Sequence, residues 1–162
     1  MRSWRAAAAA VAVVLAACGG GSERPRYEAK DLVTGADVSV DDLRGKAALL
    51  VSWTTWCAEC DEELAGLAEF AASAEAEGLE IVAVNLDAGD VDDEIAAKLD
   101  RHDLSTELWR DRRNRFRGAF GALGVPTTVL LDADGDVRGT FPGAADFDDD
   151  EILAAIDEIR HP

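Results

Sequence analysis

The chain has little histidine, proline or cysteine: two, four and three residues respectively among 162. A structural zinc site takes four ligands. His102 stands in a polar helical stretch and His161 is the penultimate residue, so neither lies at a spacing from the cysteines that suits a zinc finger. No metal is expected. Four prolines are too few for a long disordered tail. Basic charge is scarce as well. Sixteen Lys and Arg face 33 Asp and Glu, a net charge of −17. Phosphate binding needs a basic surface, so nucleic acid is excluded as a partner. The one basic cluster, Arg110, Arg112, Arg113, Arg115 and Arg117, reads as a solvated face. Docking to an acidic partner or an anionic membrane surface is its sharper alternative.

What is present suits one globular domain. The hydrophobic fraction is 48% and the charged fraction 30%, and the length is enough for a real core. The first residues read as an address. Arg2 and Arg5 precede an unbroken Ala, Val and Leu run from Ala6 to Ala17, the n-region and h-region of a secretory signal. The run has 12 residues, whereas spanning a bilayer takes about 20. Leu15-Ala16-Ala17-Cys18 resembles the bacterial lipobox, whose cysteine is lipidated and becomes the first residue of the mature chain. The expected organisation is a removed signal peptide over 1–17, a lipidated tether over 18–26 and a folded domain over 27–162. Without the signal, 14 basic residues face 33 acidic ones, a net charge of −19. The expected location is the extracytoplasmic face of the bacterial cell membrane, with the lipid on Cys18 as anchor. A monomer is expected.

If Cys18 carries lipid, Cys57 and Cys60 are the only thiols left. Closing so short a loop constrains the unfolded chain little, so a purely structural disulfide is a weak reading. A C-x-x-C pair outside the cytoplasm reads first as a redox couple. It would need no cofactor beyond its own dithiol.

The chain around the pair alternates strands and helices. Tyr27 to Val40 suggests a hairpin around Thr34-Gly35-Ala36-Asp37. Ala47 to Trp53 is a continuous apolar run, as in a strand buried on both faces. Asp61 to Glu77 is helical, with Leu64, Leu67, Ala68 and Ala71 on one face and Gly78 as its stop. A second apolar strand follows over Leu79 to Leu86, then a helix over Val91 to Asp103. Thr106 to Trp109 suits a short strand and Arg112 to Ala122 a helix. Pro126 to Asp132 and Val137 to Phe141 form a hairpin across Ala133-Asp134-Gly135-Asp136. The acidic spacing there is not that of a calcium loop, since Gly143 stands where the bidentate glutamate belongs. Asp146 to Arg160 is a final amphipathic helix. The order predicts an α/β domain with a mixed central sheet and an extra N-terminal hairpin.

Cys57 falls where a buried strand gives way to a helix, so its sulfur faces unpaired N–H groups and the positive end of the helix dipole. Both favour the thiolate, the species that attacks a disulfide. Cys60 lies one turn inside the helix. Cys57 then attacks a substrate disulfide, and Cys60 resolves the mixed disulfide.

Several motifs together resemble the TlpA/ResA-like branch of membrane-tethered thioredoxin-like proteins, over roughly Tyr27 to Arg160. They are Leu43-Arg44-Gly45-Lys46, Trp53-Thr54-Thr55-Trp56-Cys57, and Gly124-Val125-Pro126-Thr127-Thr128 followed by Val129-Leu130-Leu131-Asp132. The resemblance implies a thioredoxin-like fold and reduction of disulfides outside the cytoplasm, notably in apocytochrome c maturation. It implies a protein disulfide as substrate and a membrane thiol protein as electron donor. It makes Pro126 a cis proline packed against the disulfide, with Trp56, Val125 and Pro126 forming the substrate platform. It also places Glu63 beside the cysteines as a proton carrier. Val51 stands where thioredoxins proper have a buried Asp, which increases the interest in Glu63.

Glu59 departs from the family, which has proline before the second cysteine. Its negative charge, with those of Asp61 and Glu62, disfavours the Cys57 thiolate and makes the couple more reducing. Two alternatives stand beside a reductase. One is a thioredoxin-like partner-binding module without turnover, against which intact Cys57 and Cys60 count. The other is a thiol peroxidase, since Thr54 precedes Cys57 by three residues, although Leu50 stands where that chemistry expects proline.

Overall fold

The computed structural model describes residues 24–161. The signal-peptide assignment, Cys18 and most of the tether lie outside the described residues. Among those described, no helix is long and apolar enough to cross a membrane.

Seven strands form one sheet: β1 (Glu28–Asp31), β2 (Asp37–Ser39), β3 (Ala48–Trp53), β4 (Glu80–Asn85), β5 (Glu107–Arg110), β6 (Thr127–Leu131) and β7 (Val137–Pro142). Their order across the sheet is β2-β1-β5-β4-β3-β6-β7. Strands β3, β4 and β5 run parallel, and β6 and β7 are antiparallel additions on one side. The N-terminal hairpin β1–β2 extends the other side by pairing with β5. Among the described residues, four helices cover the sheet: α1 (Glu59–Ala71), α2 (Asp92–His102), α3 (Arg115–Phe120) and α4 (Asp150–Arg160). This is the expected α/β architecture, a thioredoxin-like mixed sheet with an N-terminal hairpin.

The two-residue period of β3 divides the core. Leu49, Val51 and Trp53 face a cluster built with Leu64 and Leu67 of α1, Ile95 of α2, and Ile152, Ile156 and Ile159 of α4. Ala48 and Leu50 face the opposite cluster, with Phe116 and Phe120 of α3 and Tyr27. All six residues of β3 are buried, which is why the strand reads as an unbroken apolar run.

Four expectations change, the first being that the last helix starts at Asp150, capped by Asp149, rather than at Asp146. Helix α1 ends at Ala71 rather than Glu77, and Ala74–Ala76 forms a separate 3₁₀ turn before Gly78. Helix α3 is a short 115–120 segment, because the Asp111 carboxylate captures the N–H groups of Arg113 and Phe116 and turns the chain there. The arginine cluster is not uniformly solvated. Arg110 is 6% exposed and donates to the Gly89 carbonyl and Asp92, while Arg112 pairs with Asp90 and Asp92, and Arg115 with Glu28. Acidic neighbours absorb most of that charge.

Tyr27 pins the start of the domain. It stacks on Trp109, meets Phe116 and Phe120 edge-on, and donates to the Asp111 carboxylate at 3.3 Å. Tyr27→Ala should cost about 3–5 kcal/mol, the range for truncating a large aromatic core residue. A urea titration checks this as a lower midpoint at an unchanged slope.

Candidate active site

Strand β3 delivers the chain into the motif. Trp53 is buried at its end, and Thr54 to Ala58 turn into α1. No side chain caps α1 at Ala58; instead the Cys57 sulfur accepts the Cys60 N–H at 3.1 Å. The sulfur thus occupies the place of a capping oxygen, facing donors left unpaired by the helix start. Cys57 and Cys60 form a disulfide, with Cα atoms 5.3 Å apart. Cys57 is 7% exposed and Cys60 fully buried. The outer sulfur is the more accessible of the two, the arrangement suited to attack by Cys57 and resolution by Cys60.

The Val125–Pro126 peptide is cis. The Val125 carbonyl oxygen lies 3.8 Å from the Cys57 sulfur, close enough to accept from the reduced thiol. Ser52 sets this register. Its hydroxyl accepts from the Thr127 N–H at 3.0 Å and donates to the Thr127 carbonyl, tying the start of β6 to the end of β3. Trp56 is 74% exposed and Leu123 80% exposed, a large apolar pair at the mouth of the site. Both line a cavity of about 140 Å³ with Thr54, Leu86 and Val125. Clefts of about 710 and 570 Å³ lie elsewhere; the small cavity is tied to the sulfur through Val125, whose carbonyl meets Cys57.

Glu63 is buried one turn after Cys60 and so shares its helix face. Its carboxylate accepts from the Thr128 hydroxyl at 2.7 Å and from the Ala145 N–H. Burial pushes its pKa above the ordinary carboxylate value, and the two hydrogen bonds offset only part of that push. Thr128 pairs across the ladder with Val51, so Glu63 reaches the sheet beside the position that lacks an acid of its own.

Two residues that the sequence reading overlooked hold the motif from outside. Asp87 accepts from the Thr55 N–H at 2.7 Å and from its hydroxyl, and Asn85 steadies that carboxylate at 2.8 Å. Lys98 donates to the carbonyls of Thr54, Thr55 and Cys57. The signal for Lys98 was present: it falls three residues after Ile95, on the buried stripe of an amphipathic helix. Asp61, beside Cys60, pairs with Lys98, Arg101 and His102. Partial burial pushes its pKa up, but hydrogen bonds from His102 and Lys98 outweigh this and hold it below the ordinary value.

The comparisons with known proteins agree with this geometry. The AhpC/TSA family matches residues 21–140. The thiol-disulfide oxidoreductase ResA of Geobacillus thermodenitrificans is 32% identical over 129 residues, covering 80% of this chain and 72% of the relative. ResA of Bacillus anthracis is 32% identical over 117 residues, covering 72% of this chain; the match spans 66% of that relative's length. Among solved structures, a putative thiol:disulfide interchange protein DsbE from Chlorobium tepidum superposes with a TM-score of 0.73 at 24% identity, covering 86% of this chain and 96% of that one. StoA from Bacillus subtilis gives 0.62 at 22% identity, covering 76% and 92%.

A general base with a raised pKa leaves a mark on the pH profile. The rate of disulfide exchange should fall on the acid side at a pH above the ordinary carboxylate range, where Glu63 becomes protonated. Glu63→Gln should remove that inflection and slow exchange at neutral pH by roughly 10²-fold, the lower end for general acid–base catalysis. Exchange rates measured for both proteins as the pH is lowered from neutrality check it.

Proposed function

The chain belongs to the AhpC/TSA family, and from that membership and the geometry at Cys57 we propose that it is an extracytoplasmic thiol–disulfide oxidoreductase acting as a reductase. The observation that carries the proposal is the Cys57–Cys60 pair at the N-terminus of α1, with the outer sulfur beside the cis Val125–Pro126 peptide. Lipid on Cys18 anchors the protein to the outer face of the cell membrane. Substrates are disulfides of secreted or membrane proteins, with apocytochrome c one such class.

In the reaction, the Cys57 thiolate attacks one sulfur of the substrate disulfide. The substrate S–S bond breaks, a mixed disulfide forms, and the first substrate thiolate leaves and takes up a proton. Glu63 accepts the proton of Cys60. The Cys60 thiolate then attacks the Cys57 sulfur, releasing the second substrate thiol and closing the Cys57–Cys60 disulfide. Two electrons pass to the substrate, and a membrane dithiol donor returns two to the pair. Trp56, Leu123 and the Val125 backbone present an apolar, hydrogen-bonding ledge for an extended substrate segment beside Cys57.

Glu59, exposed beside the pair, supports the reductive direction by disfavouring the thiolate of the reduced form. The thiol-peroxidase alternative retains one observation: the buried Thr54 hydroxyl has no hydrogen-bond partner among the described residues.

A Cys60→Ala trap tests the activity. Expressed in cells, it should fractionate with membranes and accumulate mixed disulfides through Cys57. A trap that captures no protein thiol while consuming peroxide would favour the peroxidase. The direction is tested separately by equilibrating the wild-type pair with glutathione. A potential well below that of a strong oxidant, about −120 mV, is expected; a value at that level overturns the reductase assignment.

A further inference from the structure

We infer that Lys98 is a positioning residue for the thiol pair: its buried ammonium fixes the loop that carries Cys57 and favours the thiolate of that cysteine. The inference rests on the exchange activity proposed above and concerns how the same site is tuned.

Lys98 Nζ lies 2.8 Å from the Cys57 carbonyl oxygen, 3.2 Å from that of Thr54 and 3.4 Å from that of Thr55. Its side chain is 3% exposed. Three carbonyls converging on one ammonium set the path of the chain from β3 into α1. Asp87 holds the same turn through Thr55. The loop is therefore clamped by a cation and an anion, both from elements that follow it in sequence.

Lys98 also acts by charge. Only the atoms of one residue separate its ammonium from the Cys57 sulfur. A buried charge is weakly screened, and a positive one favours a thiolate. The opposing acids are placed less effectively. Glu59 and Glu62 are exposed to water, which screens them. Asp61 lies 3.2 Å from Lys98 but is shared with Arg101 at 2.9 Å and His102 at 3.0 Å. Asp61 from α1, Asp87 ahead of α2, and Arg101 and His102 on α2 are the charged or titratable groups that meet Lys98, its partner carboxylate or the loop it holds. A lysine that only braced the loop would leave the sulfur's titration unchanged. One that supplies charge moves it.

The test is alkylation of the reduced full chain by iodoacetamide across pH, with modification of Cys57 read by mass. The midpoint reports thiolate formation. Lys98→Gln keeps a hydrogen-bond donor and loses the charge. It should raise the midpoint by about one pH unit, roughly tenfold less thiolate at a fixed pH below it. Asp61→Asn removes the carboxylate that shares the ammonium and should lower the midpoint. A Lys98→Gln midpoint equal to that of wild type overturns the inference. If Lys98→Gln does not fold, an Asp61→Asn midpoint that stays put or rises overturns it instead. Alkylation needs no substrate protein. A chain that captures no protein thiol but shows both shifts loses the proposed function and retains the Lys98 assignment; capture with unmoved midpoints does the reverse.

Discussion

The hydrogen bond from the Cys60 N–H to the Cys57 sulfur puts the sulfur at the positive end of α1, where a side-chain oxygen would otherwise cap the helix. For that bond to form, β3 must end at Trp53 and α1 must start within a few residues. Burial of all six β3 residues fixes the first condition. Asp87 and Lys98 fix the second, by bonding the backbone of Thr54, Thr55 and Cys57. Ser52 brings the third element to the same point, because its hydroxyl bonds the backbone of Thr127 and so sets the cis Val125–Pro126 peptide against the sulfur. The site is a junction of three segments distant in sequence, and the sheet register holds them together.

The chain's acidity bears on this junction less than its size suggests. Most carboxylates stand in water, where their fields are screened within about 10 Å. The groups that matter are buried and few. Glu63 is held with a raised pKa by desolvation, between the Thr128 hydroxyl and the Ala145 N–H. Lys98 is buried against the backbone of the motif. In the proposed mechanism the first carries a proton for Cys60, and the second biases Cys57. Neither needs the net charge of −17 to act.

Most of the fold was legible in the chain because its pattern is local. Strands β3, β4 and β6 are continuous apolar runs since both faces of the sheet are covered, and the C-x-x-C pair and Val125-Pro126 announce themselves by residue type. The misread parts depend on partners far away in sequence. The Arg112 to Ala122 stretch looks helical throughout, but Asp111 turns its first residues. Arg110 reads as surface until Asp92, 18 positions earlier, folds over it. The end of α1 was misjudged for a different reason: alanine and glutamate continue past Ala71, and composition carries no mark of where packing stops. Lys98 and Asp87 bond the motif across 41 to 44 and 32 positions, so no spacing rule links them to it.

Glu59 and Lys98 act on the same thiolate with opposite sign, so both the potential of the pair and its thiolate fraction follow their difference. A destabilised thiolate makes a dithiol more reducing, and a stabilised one raises the fraction ready to attack, so each residue moves both properties together. Glu59 acts from the surface, where screening keeps its effect small. Lys98 acts from inside, where its charge is felt more strongly and also fixes the geometry. Proline at position 59 would instead stiffen the first turn of α1 and add no charge. With Glu59 there, the loop loses that rigidity, and the Lys98 and Asp87 clamp is the structural feature that can replace it.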